Sequence, residues 1–148
     1  MELDLALLAD DAKVDERGKL FIIGEFRYLT VTAIPARHGH LAVVARFIAL
    51  VSEVRDRANF IQVALVDEDG GAIMPRSPKI PLAFGITGPA DRGMAQAQLI
   101  LALDGLEISK LGTHRMDFWV NDQFFRGPAF FVTEVPKPEP PKDKPVAG

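Results

Sequence analysis

Cysteine is absent from the chain, which excludes disulfides, thiolate nucleophiles and cysteine metal sites together and leaves no mark of redox compartment. A basic excess is missing as well. Lys and Arg number 17 against 20 Asp and Glu, a net charge of −3, so no positive field draws nucleic acid or an anionic membrane surface. No apolar run approaches the roughly 20 residues that cross a bilayer. Glu2 and Asp4 stand where a signal peptide needs positive charge. The expectation is a soluble, cytoplasmic protein with neither a membrane nor a nucleic-acid partner.

Helical periodicity is scarce too. No window shows a capped 3.6-residue stripe, and the best candidate for a helical turn is "DDAKVDE", Asp10–Glu16. No glycine-rich loop opens a helix, so nucleotide binding of the usual kinds finds no support. Ser52, Ser77 and Ser109 lie in no strand–turn–helix elbow of the kind that presents a nucleophile.

What the chain has in quantity is a period of two. "LDLALLA" alternates at Leu3, Leu5 and Leu7. "KLFIIGEF", "RYLTVTAI", "HLAVVARFIALV", "FIQVALV", "AQAQLILAL", "THRMDFWVN" and "AFFVTEV" follow, rich in β-branched and aromatic residues and separated by Gly, Pro, Asn and Asp. That spacing predicts an all-β chain, an antiparallel sandwich or barrel. In "FIQVALV" it sets Ile61, Val63 and Leu65 on one face. The 148 residues suffice for one ordinary domain with a real core. It is expected over residues 1–134, followed by a proline-rich flexible tail over 135–148, where "VPKPEPPKDKPVAG" offers neither ladder hydrogen bonds nor a buried face.

Three turns punctuate the strands. "DEDGG" after Val66 invites comparison with a calcium loop, but an EF-hand starting at Asp67 needs an oxygen ligand, Gly and Glu where this chain has Gly71, Ala72 and Pro78. A hairpin with a left-handed glycine fits better. "VDERGKL" repeats the logic at Gly18. In the third, Asn121 and Asp122 as central residues pair Val120 with Gln123, Trp119 with Phe124, Phe118 with Phe125 and Asp117 with Arg126. Met116, Phe118, Val120 and Phe125 then face the core, while an Asp117–Arg126 ion pair shares the other face with Trp119 and Phe124. Upstream, "LGTHRMDFWV" has the layout of the corner opening the F strand in immunoglobulin-like sandwiches. There His114 takes the place of a tyrosine, and its ring is suited to a backbone hydrogen bond.

Together, "LLADDAKVDERGKLFIIGEF", "VALVDEDGGAI" and "GTHRMDFWVNDQ" resemble an uncharacterised bacterial family of immunoglobulin-like β-sandwich domains, over nearly all of residues 1–134. The resemblance implies a fold and no active site, because its motifs are turns and core strands.

His38 and His40, two residues apart, would share one face of a strand and offer half of a zinc site. A solvated loop after Pro35 is the favoured reading. Asp10, Asp11, Asp15 and Glu16 cluster near one hairpin, as solvated acidic turns commonly do. "MPRSPKIP" sets Pro75, Pro78 and Pro81 three apart, which suits either a polyproline ligand or an edge strand guarded against further pairing. In "QFFRGPAFFV" adjacent phenylalanines point to opposite faces, so both sides of the last hairpin are apolar. Two rings at about 150–250 Å² each and about 25 cal/mol/Å² supply roughly 8–12 kcal/mol, against the 4–15 kcal/mol that association costs.

The chain therefore reads as a non-catalytic binding or assembly module, with no cofactor and no metal, contacting a protein partner or a second copy through Trp119 and Phe124. The competing readings are a metal-dependent hydrolase using His38, His40 and nearby acids, and a carbohydrate-binding module stacking sugars on exposed rings.

Overall fold

The computed structural model describes residues 1–86 and 93–136. Its elements run β1 (Glu2–Val14), β2 (Leu20–Phe26), β3 (Tyr28–Val31), β4 (Ala36–Leu50), α1 (Val51–Val54), β5 (Phe60–Asp67), β6 (Ala72–Met74), β7 (Ile80–Pro81), β8 (Gly85–Ile86), β9 (Met94–Ile108), β10 (Gly112–Val120) and β11 (Gln123–Glu134). They form two curled sheets. The first has the order β2-β1-β4-β9-β8, and the second β3-β11-β10-β5-β6 with β7 also on β5. Neighbours are antiparallel except β3, which runs parallel to β11. The all-β expectation holds. Of the tail expected over 135–148, residues 137–148 lie outside the described residues.

Alternation along the strands builds the core between the sheets. Leu41, Val43, Ala45 and Phe47 of β4 join Ile61, Val63 and Leu65 of β5 and Met116, Phe118 and Val120 of β10 in one apolar cluster. Ile61, Val63 and Leu65 are each fully buried, on the single face expected of them. Phe47 bridges the sheets, meeting Phe118 edge-on at 5.9 Å and Phe125 at 5.2 Å. Each such aromatic pair contributes about 0.5–1.5 kcal/mol beyond its buried area.

The turns take the forms their residues favour. Gly18 has φ +79° and Gly70 φ +82°, conformations that only glycine adopts without strain. In "DEDGG", Asp67 Oδ1 accepts the backbone N–H groups of Asp69 (2.9 Å) and Gly71 (2.8 Å), and the Gly70 N–H donates to the Asp67 carbonyl (3.0 Å). The Gly71 N–H foremost, with those of Asp69 and the charge of Lys110, holds the Asp67 carboxyl below its ordinary value. His114 is buried and stacks on Phe130 at 5.2 Å. Its Nδ1 lies 2.9 Å from the Gly112 carbonyl. Because that oxygen can only accept, the proton sits on Nδ1, and this is the backbone hydrogen bond anticipated for it.

Two local expectations give way, and one element was not anticipated. Asp10–Val14 continue β1 as strand, with no helical turn, because Ala12, Lys13 and Val14 pair with Ile22, Phe21 and Leu20 of β2. Cross-strand pairing outweighs a weak local helical preference. In "LDLALLA" a bulge at Asp4 breaks the alternation. Leu3 pairs with Phe47, but Leu5 and Leu7 pair with Arg46 and Val44 on the opposite face, leaving Ala6 and Leu8 to the core. The short α1 has no counterpart in the sequence pattern, since four residues cannot display a helical period.

Candidate functional site

The β10–β11 hairpin closes as its residues dictate. Asn121 (φ +49°) and Asp122 (φ +68°) are both left-handed, the two-residue connection whose twist matches that of the flanking strands. The register is the anticipated one, with Val120 opposite Gln123, Trp119 opposite Phe124, Phe118 opposite Phe125 and Asp117 opposite Arg126. Asn121 also anchors the tip. Its Oδ1 accepts the Phe60 N–H (3.0 Å) and its Nδ2 donates to Asn59 Oδ1 (2.8 Å). Asn59 in turn donates to the Val54 carbonyl (2.9 Å), tying the hairpin to the loop after α1.

Because side chains alternate, this register turns Trp119 and Phe124 away from the core, with ring centroids 5.5 Å apart. Phe124 is 49% exposed. Trp119 is half-buried, and its cover comes from its own chain: the Arg76 guanidinium lies 4.3 Å over the indole. Gln62, opposite Trp119 on β5, holds it there by accepting from Arg76 Nε (3.0 Å) and Nη2 (2.7 Å) on one oxygen. Arg76 belongs to the proline-spaced stretch, which runs along the outer edge of β5 as the edge reading expected. The Val63 carbonyl accepts the Ser77 N–H (2.9 Å), and Ser77 Oγ accepts the Val63 N–H (3.0 Å). Lys79, from the same stretch, sits 4.1 Å over Phe60.

The expected Asp117–Arg126 ion pair is corrected. Asp117 is buried and takes Arg115 as its partner, through Nε (2.6 Å) and Nη2 (3.0 Å). Arg115 lies two residues along the same strand face and offers a bidentate fork. The ladder to β11 is interrupted between the two by a bulge at Gly127–Pro128. The Asp117 carboxylate keeps the Arg115 guanidinium above its ordinary value. Arg126 makes no ion pair among the described residues. Farther along this face, Tyr28, 68% exposed, stacks on Phe131 at 5.3 Å.

The result is an aromatic face edged with cations on a chain whose net charge is negative. Arg76 lies over Trp119, Lys79 over Phe60, and Arg126 stands two residues along β11 from Phe124, while Arg115 is neutralised by Asp117 and Asp122 stands 3.8 Å from Arg76. Trp119 and Phe124 were visible in the sequence. Arg76, Gln62 and Lys79 were not, because a proline-punctuated edge segment carries no period that says which face its long side chains cover.

The histidines go separate ways. His40 Nδ1 meets Asp104 Oδ1 at 2.6 Å and its Nε2 lies 3.8 Å from Asp11 Oδ1. The hydrogen bond to Asp104 foremost raises its basicity above the ordinary histidine value. His38 tilts against Phe26, ring centroids 6.2 Å apart. Phe26 pairs with Leu8, whereas Asp11 pairs with Ile23, an odd separation along each strand that sets the two histidines' neighbours on opposite faces. Among the described residues no group of three or more His, Asp and Glu is placed to hold a metal ion. A separate cleft of about 380 Å³ lies beside α1, with Val54, Leu82, Phe84, Arg55 and Arg57 in its lining. None of the anticipated site residues lines it. No helix among the described residues is long and apolar enough to cross a membrane.

No curated protein matches the chain. Residues 4–133 match the family of unknown function DUF6941, and the chain belongs to that family.

Proposed function

We propose that the chain is a non-catalytic binding or assembly module built on an immunoglobulin-like sandwich, whose contact face is the aromatic surface of the second sheet. Strand order supports the fold reading. The series β1-β4-β9-β8 beside β11-β10-β5-β6 parallels strands A-B-E-D beside G-F-C-C′ of immunoglobulin domains, with His114 at the start of the strand equivalent to F.

The observation that carries the functional reading is the Trp119–Phe124 pair, held outward by a well-formed turn, with Arg76 over the indole, Lys79 over the neighbouring Phe60 and Arg126 two residues along from Phe124. Aromatic residues and arginine are the types that dominate protein interfaces. The exposed half of Phe124, taken from about 150–250 Å² for the whole ring, contributes only about 2–3 kcal/mol on burial. The hydrophobic term alone therefore falls short of the association cost, and the cations must contribute through acidic groups on the partner. A protein partner suits this face better than a sugar, because Arg76 already occupies one side of the indole on which a sugar ring would stack. The non-catalytic reading rests on the separation of His38 from His40 and on the hydrogen bond that commits His114 to the backbone.

Affinity capture with the wild-type chain, Phe124→Ser and the double variant Trp119→Ser/Phe124→Ser tests it. A partner held by the wild type and lost from both variants, at an unfolding midpoint kept by Phe124→Ser, is the expected result. Retention of the same proteins by all three overturns the reading.

A further inference from the structure

Among the described residues four strands stand at the ends of the two sheets and three of them are short or broken by proline, although past β8 the outer side of β9 is also open from Ala97 to Ile108. β8 has two residues and β3 has four. The β6–β7 edge has three plus two, interrupted by Pro75 and Pro78 and ending at Pro81. Short length and proline are the ordinary guards against edge-to-edge pairing. The fourth edge strand, β2, has seven residues, "LFIIGEF", and no proline, its one irregularity being a left-handed Gly24 (φ +67°).

The β1–β2 ribbon is also unsupported. Pairing of β1 with β4 stops at Ala9–Ala42, and beyond it β1 pairs only with β2. Ala12, Val14, Leu20, Phe21, Ile22 and Ile23 pack in neither apolar cluster of the molecule. Val14 is 45%, Phe21 46% and Ile23 57% exposed. An isolated two-stranded ribbon is at best marginally stable in water; a third strand changes that.

We propose that the missing strand is β2 of a second copy, so that the first sheets of two protomers merge across a two-fold axis at Ile22. The backbone fixes which groups are free. The Asp15 N–H donates to the Lys19 carbonyl, so alternation along the ladder turns the N–H and C=O of Phe21 and Ile23 toward β1 and those of Leu20 and Ile22 outward, as far as Gly24, whose φ of +67° departs from the extended strand. Antiparallel pairing centred on Ile22 sets Ile22 opposite Ile22, and Leu20 opposite Gly24, which offers no side chain to clash. Phe21 falls opposite Ile23, an aromatic–branched pair of the kind that stabilises sheets. Lys19 falls opposite Glu25, twice by symmetry. Glu25 is now exposed, with Arg27 a loose 3.8 Å away. A slip of two in one direction sets Lys19 opposite Ile23, and in the other opposite Arg27. Charge complementarity therefore selects the register centred on Ile22.

The lack of cysteine makes the test clean. Sedimentation equilibrium of the full chain should show a concentration-dependent dimer. Ile22→Cys should give a disulfide-linked dimer on oxidation, because the symmetric pair stands about 5.5 Å apart at Cα. Phe21→Cys and Ile23→Cys should each crosslink poorly alone and well when mixed. Lys19→Glu and Glu25→Lys should each weaken the dimer about tenfold, and combining them should restore it. A wild type that stays monomeric, or a dimer in which Ile22→Cys crosslinks no faster than Ser109→Cys, overturns the proposal. Survival of the dimer in both charge reversals overturns it too. If the charge variants fold poorly, the crosslinking series decides alone, since cysteine for Ile22 leaves the β1–β2 ladder intact.

Discussion

Asn121 serves the backbone and the side-chain network at once, and two substitutions separate those roles. Asn121→Ala forces an alanine into a φ near +49°, which costs about 1–2 kcal/mol for a residue with a Cβ. It also removes the acceptor of the Phe60 N–H and the donor to Asn59. An abandoned, partly buried donor costs about 1–3 kcal/mol. The sum is about 3 kcal/mol. Asn121→Gly loses the same side-chain bonds but adopts the left-handed conformation freely, at the expense of a more flexible unfolded chain. It should therefore be less destabilising than alanine by about 1 kcal/mol. Urea unfolding at unchanged m-value measures both, and a chain of this size loses about 2–4 °C of Tm per kcal/mol. Equal losses for the two variants would remove the backbone argument. Variants within about 0.5 kcal/mol of the wild type would refute the turn, and with it the outward placement of Trp119 and Phe124.

Two further outcomes follow from single contacts. Gly127→Ala places a Cβ 2.6 Å from the Met116 carbonyl oxygen and 2.8 Å from the Phe118 ring, so unfolding midpoints should report a loss of about 1–3 kcal/mol; Gly39→Ala, with open space at that position, serves as the unaffected control. His40 should titrate above 6.5 by NMR, and Asp104→Asn should lower its midpoint. The sign follows from linkage: a histidine whose folded-state pKa is raised contributes stability in full below pH 6.5 and loses it as pH climbs through the folded value. The gap in unfolding midpoint between wild type and Asp104→Asn should close over that same climb.

The strands and their turns were readable because each is specified locally. "VNDQ" and "DEDGG" carry residues that tolerate positive φ, and the flanking alternation admits only one register for each buried face. The bulge at Asp4 was hidden because Leu3, Leu5 and Leu7 alternate perfectly on paper; only the partner strand, with Phe47 opposite Leu3 and Arg46 opposite Leu5, decides which leucine is inside. The ion pair of Asp117 was missed for a related reason. Register identified the residue across the ladder, but Arg115 on the same strand presented a bidentate fork where the bulge interrupted that ladder. His38 and His40 show the limit most plainly. A spacing of two implies one face only while the strand is regular, and here Gly39 lies between them and Gly105 of the neighbouring β9 has φ +65°.

The two proposed surfaces have a geometric relation that neither has alone. The aromatic face belongs to β5, β10 and β11 of the second sheet, whereas β2 is the edge of the first. Pairing through β2 therefore leaves Trp119, Phe124 and Arg126 uncovered on both protomers and makes a monovalent contact face bivalent. A contact of roughly 2–3 kcal/mol of hydrophobic burial per face is weak by itself, but linking two copies makes the second engagement intramolecular and strengthens the whole by about 10²–10⁴ where both faces reach their targets. Charge reversal at Lys19 should then weaken partner capture although it touches no part of the aromatic face. Phe124→Ser should abolish capture and leave the dimer intact. A Lys19→Glu variant that is monomeric yet captures partner as tightly as the wild type would show that each face works alone.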